Sequence, residues 1–426
     1  MNILVINCGS SSLKFQLREI EAGAARSGEG RLLGGGLIQG IGGPAEVTLR
    51  RPGAEPERLR AEAPDYAAAV RIALDWLARG GLVRLDAAGG AVGGTARGTA
   101  RGAAGPIAAV GHRFVHGGER FHEPVRIDAA VREALHALEV LAPLHNRPSL
   151  AGVDAVQAVL GPATPQVAVF DTAFHHGLPE VARTYGLPHA LAARHGIRRF
   201  GFHGTSCRSV LEQYGEQPGA RAAGRVIVLH LGSGCSATAV QAGRSVETSM
   251  GFTPLEGLLM GTRCGDLDPA LPAFLARQEG LPVEAVEALL NEQSGLKGVS
   301  GLSNDLRVLL EREAAEPRAH LAVELFCYRI RKYVGAYLAV LQGADAILFT
   351  GGVGEHAPDI RARVCGPLGW CGLRLDAARN DAARGESPRC ISDPGGTVQA
   401  YVIPSDEERI IAWDTARCLG PPSPNL

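Results

Sequence analysis

The segment ILVINCGSSSLKFQL, Ile3 to Leu17, has the pattern of an apolar strand, a Gly/Ser turn and a second strand. A second segment, VIVLHLGSGCSATAVQAG from Val226 to Gly243, repeats this order of strand, turn and strand. Apolar β-branched runs that are bounded by glycine and serine are typical of strands. The repetition in both halves of the chain predicts a duplicated fold with two related domains.

Helical patterns and a third strand complete the fold prediction. Residues Asp128 to Leu141 and Pro148 to Leu160 have helical patterns, and AILFTGGVGE (Ala346 to Glu355) contains a strand that ends in glycines. The stretch SDEERIIAWDTARCL predicts a final helix, with Ser405 as its N-cap and Glu408 at the capping-box position. Strands that alternate with helices in both halves predict an α/β class.

Composition narrows the class of protein. A chain of 426 residues favours two domains, and 46% hydrophobic with 20% charged residues is typical of a globular protein. The net charge of -1 gives no reason to expect nucleic acid or a membrane as a partner, and no apolar run approaches the roughly 20 residues of a membrane span. The cysteines are scattered without a C-x-x-C pair, which argues against a zinc site or a disulfide framework and favours the cytoplasm.

The turn NCGSSSLK, Asn7 to Lys14, has the composition of a phosphate-binding loop, because glycine and serine after a strand present backbone N–H groups to phosphate oxygens. It does not match the Walker A pattern, and the segment after it alternates like a strand. A phosphate loop inside a β-hairpin points to the actin/hexokinase/Hsp70 architecture, in which two such hairpins flank a nucleotide cleft. Each turn alone is equally compatible with a plain tight turn. Two in matching contexts, with Gly351 to Gly354 after a third strand, favour phosphate binding.

Two arginines are conspicuous among the polar clusters. Arg113 and Arg263 lie beside glycines and next to apolar runs, where an unpaired guanidinium is costly. Each should therefore pair either with a carboxylate of the protein or with a ligand. Two ligand-facing arginines would suit a carboxylate and a transferring phosphoryl group. Single histidines in such settings are usually hydrogen-bonded core residues, and no spacing typical of zinc ligands appears.

Longer motifs together resemble one family. NCGSSSLKF, FDTAFH, FGFHGTS, SMGFTPLEGL, FTGG and IPSDEE span almost the whole chain and resemble the acetokinase family of short-chain carboxylate kinases. The resemblance implies duplicated ASKHA (ribonuclease H-like) domains, residues 1–172 with 408–426 and residues 173–407, and usually a homodimer. It also implies transfer of the ATP γ-phosphoryl group to a small acid, with acetate favoured, giving acetyl phosphate and ADP. Mg²⁺ is the implied cofactor, with Mn²⁺ as a substitute.

The resemblance implies roles for individual positions. Catalytic roles fall on Arg113, Asp171, His203, Arg263 and His145, with His203 as the transition-state stabiliser. The pocket for the methyl group would comprise Val115, Leu144, Phe202 and Pro254. The implied nucleotide contacts are Asn7, Ser10, Ser12, Lys14, His230, Gly232, Ser233, Gly234, Asp305, Leu306, Arg307, Gly351, Gly352, Val353, Gly354 and Glu355. The residues linked to the metal would be Asn7 and Glu407.

Several positions depart from the family pattern, namely the motif HNRPS and the residues Ser233, Cys264, Cys207 and Glu247. Ser233 stands where an asparagine is usual and removes a longer amide donor from the second phosphate loop. The backbone N–H groups of Gly232 and Gly234 remain, so we predict an active enzyme. The change leaves nucleotide affinity and the choice of phosphoryl donor open.

The chemistry of a carboxylate acceptor needs no general base, because a carboxylic acid titrates at about pH 4 to 5 and is already an anion at neutral pH. The arginines, Mg²⁺ and a protonated or hydrogen-donating His203 would offset the repulsion between two anions during in-line transfer. Replacing Arg113 or Arg263 by alanine is expected to reduce turnover with little loss of fold. The alternatives are a propionate or butyrate kinase, an actin- or Hsp70-like ATPase switch, and an inactive paralogue.

Overall fold

The computed structural model describes residues 1–21, 30–85 and 105–420, apart from the side chains of Pro143 and Leu144. The chain forms two compact units, Met1–Ala173 with Asp406–Leu426, and Phe174–Ser405. The described residues of each unit form a mixed β-sheet with helices packed against it. No helix within the described ranges is long and apolar enough to cross a bilayer.

The sheet of the first unit contains the first Gly/Ser hairpin. Its strands are β1 (Asn2–Gly9), β2 (Ser12–Glu19), β3 (Arg31–Gln39), β4 (Gly43–Arg50), β5 (Glu57–Ala63), β6 (Ile107–Phe114), β7 (Val125–Arg126) and β8 (Gln166–Phe170). They lie in the order β5-β4-β3-β2-β1-β6-β8-β7. The helices are α1 (Tyr66–Arg79), α2 (Ala129–Ala137), α3 (Pro143–Leu160) and the C-terminal helix (Glu407–Leu419), with a 3₁₀ helix at Leu138–Leu141 and a second, Asp171–His175, whose last two residues belong to the second unit.

Side chains along β1 alternate between two packed faces, as expected of a strand that is buried on both sides. Leu4 and Ile6 belong to a core that includes residues of α1 and α3, whereas Ile3 and Val5 pack with Ile411 of the C-terminal helix. Because both faces of β1 are fixed by packing, the Gly/Ser turn that follows it is held in a defined position.

The second unit has its own sheet, in the order β11-β10-β9-β12-β14-β13. Its strands are β9 (Arg225–Leu231), β10 (Cys235–Gln241), β11 (Arg244–Thr248), β12 (Ala346–Thr350), β13 (Arg389–Cys390) and β14 (Gln399–Val402). Its helices are α4 (Glu180–Arg183), α5 (His189–His195), α6 (Gly204–Gly215), α7 (Leu271–Glu279), α8 (Val283–Glu292), α9 (Gly295–Ser300), α10 (Leu306–Arg312), α11 (Pro317–Leu341), α12 (Gly351–His356), α13 (Pro358–Cys365) and α14 (Ala377–Ala382), with a 3₁₀ helix at Gly366–Cys371.

The two sheets repeat one pairing pattern. β9 pairs antiparallel with β10 and parallel with β12, as β1 does with β2 and β6. In both cases the hairpin turn contains the glycines and serines that the sequence pattern placed there. The predicted α/β class is confirmed.

Two helix starts differ from the predictions. Asp406, not Ser405, caps the C-terminal helix, since its carboxylate accepts a first-turn N–H group and a charged cap also interacts favourably with the helix dipole. Glu408 does not act as a capping-box partner. It is buried and pairs with Lys14 at 2.8 Å. The helix predicted from Pro148 begins earlier, as α3, and includes that proline.

A glycine in β6 sets the distance to the C-terminal helix. A Cβ atom added at Gly111 would overlap Thr415 Oγ1 and lie 2.9 Å from Ile411 Cγ2. We expect Gly111→Ala to lower the free energy of unfolding by about 1–3 kcal/mol through overpacking, as measured by urea denaturation. Gly335→Ala in α11 is the matched control, because its Cβ would meet nothing within 4 Å. It should be neutral or stabilising, and an equal loss in both variants would contradict the overpacking argument.

Candidate active site

Acidic and basic side chains meet in the first unit at the ends of β6, β8 and the C-terminal helix. Arg113 lies near the end of β6 and Asp171 directly follows β8, its parallel neighbour, so both lie at the carboxyl edge of the sheet. Arg113 donates to Asp171 through Nη2 at 2.6 Å and Nε at 3.2 Å. Glu407, the first residue of the C-terminal helix, is 3.4 Å from Arg113 Nε. Arg113 therefore has protein carboxylates as partners, one of the two alternatives drawn from the sequence.

The charge balance of this cluster is uneven. Burial raises the pKa of Glu407, and repulsion from Asp171 and Glu408 acts in the same direction, against the attraction of Arg113 and Lys14. A carboxyl group in this position ionises more readily when a further cation is close to it. A further positive charge next to this cluster would therefore be electrostatically favourable.

The predicted first phosphate loop is one continuous hairpin. Asn7 in β1 lies opposite Lys14 in β2, Ser12 opens β2, and Ser10 lies in the exposed turn. These positions are therefore brought together by the local register of two strands, as the sequence pattern required.

His203 in the second unit is held by its backbone and by polar and aromatic neighbours. It precedes α6 with a φ of 59°, in the left-handed region that few residues other than glycine adopt. Its Nδ1 lies 2.9 Å from Ser236 Oγ, and its ring stacks on that of His230 with 4.1 Å between centroids. His230 Nδ1 in turn is 2.8 Å from Ser206 Oγ. These contacts fix the imidazole plane and direct Nε2 toward Gly234.

Arg263 approaches the same glycine. A Cβ atom on Gly234 would lie 3.4 Å from Arg263 Nη1 and 3.5 Å from His203 Nε2. Nη1 donates to the carbonyl oxygen of Pro254 at 3.1 Å. Among the residues that the structure describes, no carboxylate pairs with Arg263, the opposite outcome to Arg113. Burial lowers its pKa, but an arginine remains protonated under such conditions. The second unit thus presents a guanidinium and an imidazole to a glycine turn, an arrangement suited to an anion.

A cavity of about 530 Å³ opens beside this turn. Predicted nucleotide-binding residues from separate segments line it, namely Gly232, Ser233, Asp305, Leu306, Arg307, Gly352 and Val353. Residues without a sequence signal complete the wall, namely Leu296, Asn304, Leu310, Phe326, His356 and Ala357. Asp305 caps α10 and pairs with Arg307 at 2.7 Å. The volume is within the range of small-molecule sites.

Comparison with known proteins decides the family. The family model described as the acetokinase family matches residues 2–413 of this chain. The chain belongs to the acetokinase family. It is 48% identical to an acetate kinase from Solibacter usitatus, over 100% of both proteins. It is 46% identical to an acetate kinase from Chloroherpeton thalassium, over 98% of this chain and 99% of that protein.

Solved structures of acetokinases agree with the fold. The Porphyromonas gingivalis acetate kinase has a TM-score of 0.83 and 39% identity, covering 98% of this chain and 100% of that one. A propionate kinase from Francisella tularensis also has a TM-score of 0.83, with 36% identity, covering 97% of this chain and 98% of that one. As an acetokinase, this chain is a phosphotransferase with a carboxyl group as acceptor. The predicted family and activity are confirmed, and the ATPase-switch alternative has no support.

Some residues implied by the acetokinase pattern have structural partners of their own. The carboxylate of Glu355 accepts the N–H groups of Gly351 and Ser405 at 2.9 and 3.0 Å, so it holds backbone and does not line the cavity. Gly354 lies within α12 and is likewise not part of the cavity wall.

The residues expected around the methyl group are divided between the units. Val115 in the first and Phe202 in the second are buried, and Pro254 contacts Arg263. The side chain of Leu144 lies outside the described parts of the chain. His145 lies in the first turn of α3.

The bond between His203 and Ser236, a residue that the sequence did not signal, can be tested. We expect Ser236→Ala to lower kcat by about fivefold, because a lost hydrogen bond of roughly 1 kcal/mol leaves the orientation of the imidazole less well fixed. Initial rates of acyl phosphate formation measure this effect. Ser245→Ala is the matched control, since Ser245 Oγ makes the same kind of bond, at 2.8 Å, to Nδ1 of the buried His175. The control should keep its kcat. Equal losses in both variants would refute a specific role for Ser236.

Proposed function

We propose that this chain catalyses the reversible transfer of the ATP γ-phosphoryl group to acetate, giving acetyl phosphate and ADP by direct in-line displacement. The observation that carries the proposal is the partly buried guanidinium of Arg263, which faces Gly234 beside His203 without a carboxylate partner in the described chain. Phosphoryl transfer requires positioning and charge stabilisation more than covalent chemistry. A fixed cation and a fixed imidazole next to a phosphate loop supply both.

The proposal gives separate roles to residues of the second unit and of the first. Arg263 and His203 Nε2 stabilise the charge on the transferring phosphoryl group, and Ser236 fixes the imidazole that does so. Arg113 binds the anionic acid, and its two bonds to Asp171 hold the guanidinium in one orientation. The cavity beside Ser233 holds the nucleotide. No group needs to remove a proton, because the acceptor is already ionised.

The first unit fits a divalent cation. Mg²⁺ prefers oxygen ligands and is usually held by one or two carboxylates together with substrate phosphates. Asp171 and Glu407 supply such carboxylates, and Asn7 lies on the adjoining hairpin strand. Burial, together with repulsion from Asp171 and Glu408, raises the pKa of Glu407, and a nearby cation would act in the opposite direction. When bound there, Mg²⁺ or Mn²⁺ would neutralise phosphate charge. From the family we also propose a cytoplasmic homodimer.

Trapping of the product tests the reaction. Purified protein with Mg-ATP and acetate should form acetyl phosphate, which hydroxylamine converts to a hydroxamate, and EDTA should abolish the product. We expect kcat/KM for acetate to exceed that for propionate by about 10- to 200-fold, because one methylene changes pocket discrimination by about 1–3 kcal/mol. Butyrate should react more slowly still. A higher kcat/KM for propionate than for acetate would make propionate the preferred substrate. Slow ATP hydrolysis without formation of a hydroxamate would refute phosphoryl transfer to a carboxylate.

The two arginines should respond differently to substitution. Arg263→Ala should lower kcat by about 100- to 1,000-fold and leave the melting temperature unchanged or slightly higher, because no protein carboxylate loses a partner and a cation without an opposite charge is removed. Arg113→Ala should lower kcat similarly but also destabilise the first unit by about 3–5 kcal/mol, since Asp171 is buried and would lose its cation. Because of this ion pair, the loss of stability that we now expect for Arg113→Ala is larger than the small loss predicted from the sequence. Turnover and thermal unfolding, measured on the same samples, separate the two effects. Near-normal turnover in both variants would eliminate the assigned roles.

A further inference from the structure

Arg361, in α13, is the largest fully buried side chain among the described residues, and it lies outside the cavity wall. Its Nε donates to Asn380 Oδ1 at 2.8 Å, and Nη2 donates to the carbonyl oxygens of Asn380 and Ala383 at 2.7 and 3.0 Å. Nη1 donates to the carbonyl oxygens of Gly354 and Glu355 at 2.9 and 3.0 Å. All the N–H donors of a guanidinium are thereby used, and each acceptor is neutral.

Two of these carbonyl groups belong to α12, the short helix that supplies part of the cavity wall. Gly352, Val353 and His356 of α12 line the cavity. The last carbonyl groups of any helix lack intrahelical partners, and a helix of a single turn or so has little stability of its own. A cation that binds those carbonyl groups also complements the negative end of the helix dipole. α12 therefore depends on external contacts at its carboxyl end, and Arg361 supplies them.

The opposite end of α12 is also fixed. Gly351 has a φ of 75°, and a Cβ atom there would lie 2.7 Å from the carbonyl oxygen of Leu231 at the end of β9. The carboxylate of Glu355 accepts the N–H of Gly351. The strand end and this carboxylate hold the amino end of the helix, while Arg361 holds the carboxyl end and connects it to the segment at Asn380 and Ala383.

We propose that Arg361 is a positioning residue for nucleotide binding: its guanidinium holds α12 in place so that Gly352, Val353 and His356 keep the shape of the nucleotide cavity. The inference rests on the proposed function of that cavity. A carboxylate partner would draw the guanidinium away from the carbonyl groups. The guanidinium can be buried without a carboxylate partner only because each of its N–H donors has an acceptor. Lysine keeps the charge but has fewer donors and no planar fork, so it cannot bridge the same acceptors.

The test is Arg361→Lys in the full chain, with steady-state kinetics for both substrates. We expect KM for ATP to rise about 10-fold, consistent with the loss of more than one hydrogen bond from the helix end, while KM for acetate stays within about twofold. Hydrogen exchange of the peptide that contains residues 351–357 should also become faster. Arg363→Lys is the matched control on the same helix, because Arg363 pairs with Glu313 and Glu324. It should change neither KM nor the exchange of that peptide.

Two further variants make the outcomes distinguishable. Gly352→Val adds a side chain where a Cβ meets nothing within 4 Å, so it should enter the cavity and raise KM for ATP. If it does not, the proposed nucleotide cavity is wrong. If it does while folded Arg361→Lys keeps its KM for ATP, only the role of Arg361 is refuted. Should Arg361→Lys fail to fold, Asn380→Ala removes one acceptor and should give a smaller increase in KM for ATP. An unchanged KM in that variant would overturn the inference.

Discussion

The cationic group of Arg263, partly buried beside His203 and without a carboxylate in the described chain, is the constraint on which the site of the second unit depends. A partly buried guanidinium without an opposite charge costs stability, which hydrogen bonds to the Pro254 carbonyl oxygen and to Met260 Sδ offset only in part. A protein carboxylate in that position would remove the cost but would also occupy the place of an anionic ligand. Binding of an anionic substrate would therefore stabilise this site, because it would supply the opposite charge that the protein does not.

The backbone around this cation is strained where the site needs it to be. His203 takes a left-handed conformation at the start of α6, which is strained for a residue with a side chain, whereas Gly351 takes one without strain where β12 turns into α12. Gly234 leaves the space into which Arg263 and His203 point. Strained residues persist when the surrounding structure fixes them, and here the fixing contacts are the Ser236 bond, the His230 stack and the strand ends. Rigidity of these groups before the substrate arrives is what electrostatic stabilisation of a transition state requires.

Local features of the site were predictable from the sequence, whereas features formed by distant segments were not. The two hairpins follow from alternation and turn residues within a few positions of one another, and the burial cost of Arg113 and Arg263 follows from their neighbours. Which arginine has a protein carboxylate depends on the pairing of β6 with β8, which brings in Asp171. Asn304 and His356 adjoin predicted nucleotide-binding residues, whereas Phe326 reaches the cavity from α11, where nothing in its neighbours indicates it.

The first turn of the C-terminal helix shows how a structural explanation can be separated from a functional one. Its consecutive acids are all favoured there by the helix dipole, so their presence alone indicates nothing. Asp406 caps the helix and binds Arg18 at 2.6 Å, and Glu408 is buried against Lys14, so both have structural roles. Glu407 faces Arg113, which Asp171 already binds more closely, and burial, together with repulsion from Asp171 and Glu408, raises its pKa. A cation beside Glu407 would offset the burial and the repulsion that oppose its ionisation, so we propose Glu407 as the one of the three acids that is linked to the metal.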